Sequence, residues 1–144
     1  MREIRFRAWD NVADEMLYAG EDFDVIFMLG SSGIECTDVR NGSPSGDGID
    51  SMEHLIYMQW TGLNDSNGDP IYEGDIVGCE SNGVERYQKR VICYDIHQAK
   101  YKTVPRSTYY ANAGHGGWTG YELRAECEVL GNIHENPELL EGKA

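Results

Sequence analysis

Nowhere in this chain do apolar residues run long enough to cross a membrane. The longest stretch, Val25-Ile26-Phe27-Met28-Leu29, stops after five residues, where a spanning helix needs about 20. The opening Met1-Arg2-Glu3-Ile4-Arg5-Phe6-Arg7 has no apolar core of the secretory kind. The expectation is a cytoplasmic protein with no membrane partner. Positive charge is scarce, with 12 Lys and Arg against 25 Asp and Glu, a formal charge of −13. Such a surface aids solubility and repels nucleic acid at long range. Cysteine is sparse too: Cys36, Cys79, Cys93 and Cys127 are scattered, with no Cys-x-x-Cys pair. The expectation for a reducing cytoplasm is four free thiols, mostly buried as small apolar groups. The four histidines (His54, His97, His115, His134) show no His-Glu-x-x-His spacing. A catalytic zinc needs three protein ligands and an open position, and no stretch supplies that set. The reading is therefore no metal, no cofactor and no catalytic residue.

What is present suits a globular fold. A chain of 144 residues fits one domain, perhaps with a small appendage, and one near 150 buries about 68–70% of its unfolded surface. Hydrophobic residues at 40% and charged residues at 26% place it among folded rather than disordered chains.

Strand patterns dominate. Residues 4–8 alternate apolar and basic, the period of a half-buried strand. Residues 15–18 read as a return strand. Residues 23–29 and 34–39 read as hairpin arms around Gly30-Ser31-Ser32-Gly33, the second less apolar and placed at an edge. Residues 41–50 hold Gly42, Pro44, Gly46 and Gly48 and read as a loop and the best boundary. Residues 51–60 fit a helix or a strand, and the β context of the next turn favours a strand. Asp65-Ser66-Asn67-Gly68 is strong turn chemistry, with a new strand from about Ile71 past Pro70. Glu73-Gly74-Asp75 interrupts that strand, and residues 76–79 continue it to a turn at Ser81-Asn82-Gly83. Residues 90–96 and 100–104 are strands closed by Pro105, and residues 111–120 form a glycine-rich mobile loop. Residues 121–127 alternate clearly, with an extension past a kink at Gly131. Asn136-Pro137-Glu138 reads as a capped helical start of one or two turns. Short strands with many glycine turns indicate an all-β barrel or sandwich.

Three segments carry a family resemblance. They are Arg2-Glu3-Ile4-Arg5-Phe6-Arg7-Ala8-Trp9-Asp10, residues 58–77 (from Met58-Gln59-Trp60-Thr61-Gly62 to Tyr72-Glu73-Gly74-Asp75-Ile76-Val77), and Val129-Leu130-Gly131-Asn132-Ile133-His134-Glu135-Asn136-Pro137-Glu138-Leu139-Leu140. The chain resembles the YopX-like proteins of phages and prophages in all three, in the expected order. The resemblance implies a mainly β fold with an SH3-like barrel. The expected organisation is an N-terminal β-rich extension over residues 1–56, which packs on or completes the barrel, and an SH3-like barrel domain with a short C-terminal helical turn over 57–144. It also implies a phage origin, hence the host bacterial cytoplasm. It implies no catalytic residues, since none are established for the family.

Two surfaces are candidates for function. Tyr109, Tyr110, Trp118 and His115 flank the glycine-rich loop. Exposed aromatics on a barrel rim favour a protein interface, with an unidentified phage or host protein or with a second copy in a homo-oligomer. Arg86, Lys89, Arg90, Lys100 and Lys102 belong to a strip of net +4 over residues 84–106, interleaved with Tyr87, Tyr94 and Tyr101. A β surface of that kind can follow phosphates and stack bases, although the acidity elsewhere opposes it. The opposite charge suggests an acidic decoy: residues 1–60 carry net −8, an arrangement that could mimic a phosphate track. Glu73 and Asp75, straddling Gly74, have an acid–base reading and a commoner one as turn chemistry.

Overall fold

The computed structural model describes residues 3–21, 25–31, 33–38, 50–51, 54–79, 88–112, 117–124 and 127–141. The fold is mainly β, with one short α-helix among the described residues. It comprises two compact units, residues 4–59 and residues from 60 on.

In the first unit, β1 (Phe6–Asp10) pairs antiparallel with β2 (Glu15–Tyr18), Ala8 opposite Leu17. β3 (Val25–Gly30) and β4 (Gly33–Asp38) form a hairpin, and the two-residue β5 (Asp50–Ser51) adds to the far side of β4. β4 is thus central, and β3 lies at the edge of the described sheet. The sequence pattern placed β4 at an edge, because it carries fewer apolar side chains. Its Cys36, however, points inward to join Ala8, Leu17 and Leu55. Phe27 and Tyr57 close this core edge to face, 6.2 Å between ring centres. The loop expected over residues 41–50 lies, up to residue 49, outside the described residues.

β6 (Ile56–Asn64) is a strand, as its β context suggested, and residues 56–59 pair with β1. In the second unit, Trp60 pairs with Tyr72 and Asn64 with Pro70 of β7 (Pro70–Tyr72). The register shifts between those pairs, where Gly62 has φ +91°. A five-stranded antiparallel sheet follows. It comprises β8 (Asp75–Cys79), β9 (Gln88–Asp95), β10 (Lys100–Pro105), β11 (Tyr121–Glu122) and β12 (Glu128–Asn132), in the spatial order β11-β10-β9-β8-β12. Side chains alternate between the two faces of a strand, and here both faces are covered. Ile71, Val77, Cys79, Ile92 and Cys127 pack on one side. Ile76, Val91, Cys93, Val104 and Leu140 pack on the other. Every residue of β8 is buried in consequence.

Three sequence expectations need correction. The loop expected over residues 111–120 begins late, because Ala111 and Asn112 end a helix, α1 (Arg106–Asn112). Two turns without a Ser, Asp or Asn cap leave little periodicity to read; the helix is held by Tyr109 packing on the core. The strand expected over residues 121–127 stops at Glu122, and Leu123 turns into the Ile71–Ile92 core. Asn136 makes no side-chain cap for the 3₁₀ turn Pro137–Leu140; its Oδ1 accepts the Asn132 N–H, 3.2 Å away. The turn expected at residues 81–83 lies outside the described residues.

The four-thiol expectation is also overturned. Cys79 and Cys127 form a disulfide, and Cys36 and Cys93 are buried outside it. The bonded pair is 48 residues apart in sequence, so only strand register brings it together.

Gly131 marks a bulge in β12, where the register to β8 shifts between Val129 and Gly131. A Cβ there would lie 2.5 Å from Asn136 Oδ1 and 2.9 Å from Leu139 Cδ1. Gly131→Ala is expected to destabilise the protein by about 1–3 kcal/mol, the range for overpacking a tight site. Urea unfolding should show a lower midpoint at an unchanged slope.

Candidate functional site

The surfaces are positioned by turns, and the turns share one chemistry. Asp10 Oδ1 accepts the N–H groups of Val12 (2.9 Å) and Ala13 (3.1 Å) after β1. Asp65 Oδ1 accepts those of Asn67 (2.9 Å) and Asp69 (2.8 Å), while its Oδ2 accepts the N–H of Val129 at 2.9 Å. Asp95 Oδ1 accepts His97 N–H (2.8 Å) and Gln98 N–H (3.2 Å). Asn132 Oδ1 accepts His134 N–H (3.0 Å) and Glu135 N–H (2.8 Å). All four side chains belong to buried residues. Each is a short acceptor at a strand end that satisfies the amides two and three or four residues on.

Asp75 completes the set within the signature segment. Its Oδ2 accepts the Tyr72 N–H at 2.7 Å, and Gly74 at φ +87° makes the bend. The Gly74 N–H donates to Ile92 O and its carbonyl accepts Ile133 N–H, at 2.9 and 3.0 Å. The Glu73–Asp75 pair is thus built as turn chemistry, with Asp75 buried.

The Asp95 turn forms one end of a groove. Lys102, across from Cys93 in the β9–β10 ladder, reaches Asp95 Oδ2 at 2.5 Å and Trp118 O at 2.7 Å. The Trp118 N–H donates to Asp95 Oδ2 at 3.3 Å. Asp95 therefore accepts four donors. The Lys102 ammonium, helped by these amides, holds its carboxyl far below the usual carboxylate range. The groove, about 490 Å³, has Asp95, Lys102, His97 and Trp118 among its walls, with Lys100 and Glu122 on its rim. Lys100 Nζ lies 4.0 Å from Glu122 Oε1. Gly117 lets the His97 ring approach closely, since a Cβ would sit 2.4 Å from its Cδ2.

The aromatic candidates do come together. Tyr109 and Trp118 stack at 5.4 Å with ring planes 10° apart, and Tyr110 meets Tyr109 edge on at 5.6 Å. Tyr109 and Trp118 are half-buried against the Val91–Val104 core, whereas Tyr110 is 56% exposed. Burial pushes the Tyr109 hydroxyl pKa up. The Asn112 side-chain amide donates to Gly117 O, tying the end of α1 to the groove wall. His115 lies outside the described residues.

The basic candidates are split by strand alternation. Arg90 is buried, donating from Nε to Gln88 Oε1 (2.8 Å) and from Nη1 to Thr103 Oγ1 (3.4 Å), with its guanidinium 4.1 Å over the Tyr121 ring. Lys102 is buried on the opposite face. Lys89 is exposed and Lys100 carries its ammonium at the groove rim. Arg86 lies outside the described residues. Among the described residues no group of three metal-ligating side chains converges, and no helix is long and apolar enough to cross a membrane.

Comparison with known proteins settles the ancestry. The model of the YopX protein family matches residues 5–141. The chain belongs to the YopX family. Two solved structures share its architecture. Protein EF1440 from Enterococcus faecalis is 27% identical, with a TM-score of 0.56 over 98% of this chain and 100% of that one. YopX from Bacillus subtilis is 19% identical, with a TM-score of 0.60 over the same shares. No curated protein matches the chain. YopX membership accounts for the three signature segments, and the structure shows what they do: they supply the Asp10, Asp65, Asp75 and Asn132 turns.

Both Asp65 and Asp95 have lowered pKa values. At Asp65 burial pushes upward but the hydrogen bonds from Val129, Asp69 and Asn67 outweigh it; at Asp95 Lys102 is the largest cause. Folded carboxylates of this kind release protons more readily than unfolded ones. Their stabilisation is complete above the ordinary value near 3.8 and is lost as pH falls through the lowered folded values. Acid unfolding should therefore shift to higher pH in Asp65→Asn, because that side chain lacks the stabilising charge at every pH and presents an amide where one oxygen accepted. Lys102→Met should destabilise more than Lys100→Met, since it leaves a buried carboxylate without its cation. Chemical denaturation of both variants measures the difference.

Proposed function

We propose that this protein is a non-enzymatic accessory module that docks a protein partner through the surface around Tyr110, backed by Tyr109 and Trp118. The observation that carries this reading is the contrast within the aromatic trio. Two rings are stacked and anchored on the core, one of them in the groove wall, and the third stands in solvent. A rigid, amphipathic ring presented on a fixed base loses little conformational freedom on binding, and Tyr is a favoured hot-spot residue. The groove supports docking rather than bond-making. Asp95 is saturated by donors and held ionised, and Lys102 is committed to it and to Trp118. Asp95, so held, is not poised to take up a proton near neutral pH.

The partner in this reading is an unidentified protein of a phage or its bacterial host, met in the host cytoplasm, or a second copy of the chain. Light scattering over a wide concentration range distinguishes the two. Self-association appears as a rise in mass that Tyr110→Ala abolishes. A foreign partner leaves the free protein monomeric, and its affinity falls on the order of tenfold or more in Tyr110→Ala but not in Val12→Ala, a more exposed control. Unchanged binding in Tyr110→Ala would refute the proposed surface. A salt-sensitive shift of DNA or RNA, lost in Lys89→Glu/Lys100→Glu, would instead assign the function to nucleic acid.

A further inference from the structure

We infer that Cys79–Cys127 is a reversible thiol–disulfide site that clamps β12 and, through it, the Asp65 turn. The four cysteines fall into two classes. Cys93 is buried with its thiol pushed up to about 12, chiefly by burial, and is not poised to form a thiolate. Cys36 is buried in the other unit among Ala8, Leu17 and Leu55. Cys79 and Cys127 alone are bonded.

Their position in the sheet is what makes the bond a clamp. The β8–β12 ladder runs Asn132–Asp75, Gly131–Ile76, Val129–Val77, Glu128–Gly78. Cys127 and Cys79 are the next pair, one step beyond its end. Their Cα atoms are 4.6 Å apart, the spacing of directly opposed residues in a non-hydrogen-bonded antiparallel pair. Cys79 is also held from its other side by Gln88 of β9, so local movement of the pair falls to the β12 side. At the end of a ladder only local opening is needed to expose the two sulfurs, which are buried in the closed state, to a small thiol.

Two contacts carry the state of this pair to its neighbours. Ser66 N–H donates to Cys127 O at 3.3 Å, and Val129 N–H donates to Asp65 Oδ2 at 2.9 Å. The hairpin turn at residues 65–69 is thus bonded to the residues on both sides of Glu128. With the disulfide closed, this junction is covalently pinned to β8; with it open, only hydrogen bonds and packing hold it.

The exchange balances with a low-molecular-weight thiol as reductant. Its thiolate attacks Cys127 Sγ, the S–S bond breaks, and Cys79 leaves as a thiolate that takes a proton. A second thiol resolves the mixed disulfide. The protein gains two electrons and two protons, and the small thiol becomes its own disulfide. Oxidation runs the same steps in reverse.

The test equilibrates the full chain in glutathione buffers from fully reduced to fully oxidised, followed by acid quenching, alkylation and mass spectrometry. The expected result is that Cys79 and Cys127 lose and regain alkylation together, with a midpoint inside that range, while Cys36 and Cys93 are alkylated throughout. Amide exchange at Ser66 and Val129 should be about tenfold faster in the reduced state. Cys93→Ser should leave the transition unmoved, and the single variant Cys79→Ser should reproduce the fast exchange without it. Four alkylated thiols in every buffer, or a pair that stays oxidised in the most reducing one, would overturn the assignment. So would equal exchange rates in both states. None of these outcomes bears on Tyr110, so the docking surface stands or falls separately.

Discussion

Short buried acceptors hold this protein's turns. Asp10, Asp65, Asp75, Asp95 and Asn132 each place a side-chain oxygen against backbone amides where a strand turns away. An amide buried without an acceptor costs about 1–3 kcal/mol, and a carboxylate buried without donors costs more. Each residue solves both problems at once. The arrangement also explains an acidic chain whose carboxylates are not all on the surface. Among the described residues four aspartates are buried, and their charge is spread over amides rather than left to water.

The same constraint shapes the proposed docking surface. Asp95 ends β9, turns the chain into β10, and by accepting from both Lys102 and Trp118 fixes the groove wall. Trp118 then stacks on Tyr109, which seats α1 on the sheet and leaves Tyr110 in solvent. The chain of dependence runs from a turn carboxylate to an exposed ring. Asp65 plays the corresponding part at the other edge of the sheet, where it couples a hairpin turn to β12 beside the disulfide.

Much of this was legible in the residues. Asp65-Ser66-Asn67-Gly68, Glu73-Gly74-Asp75 and the kink at Gly131 are local signals, and the turns and bulge lie where they indicate. The β9 and β10 strands show in their β-branched and aromatic runs. The helix α1 did not, because seven residues are too few to display a period and what stabilises them is contact with the core. The layout of the basic strip was not legible for a different reason. Counting cations along β9 and β10 ignores that neighbours point to opposite faces, and that Lys102 has a buried carboxylate waiting on its own face. The aromatic cluster was legible as composition; which of its rings is exposed was not.

Local chemistry in the sequence by itself determined the β character, the main turn sites and membership in the YopX family. Those depend on the torsions a few adjacent residues accept and on which side chains can reach their own backbone. The tertiary structure alone decided that Cys79 meets Cys127, that Lys102 is buried against Asp95, and that Tyr110 rather than Tyr109 faces water. Each of these depends on strand register or on which face a neighbouring element covers, and contacts between residues distant in the chain set both.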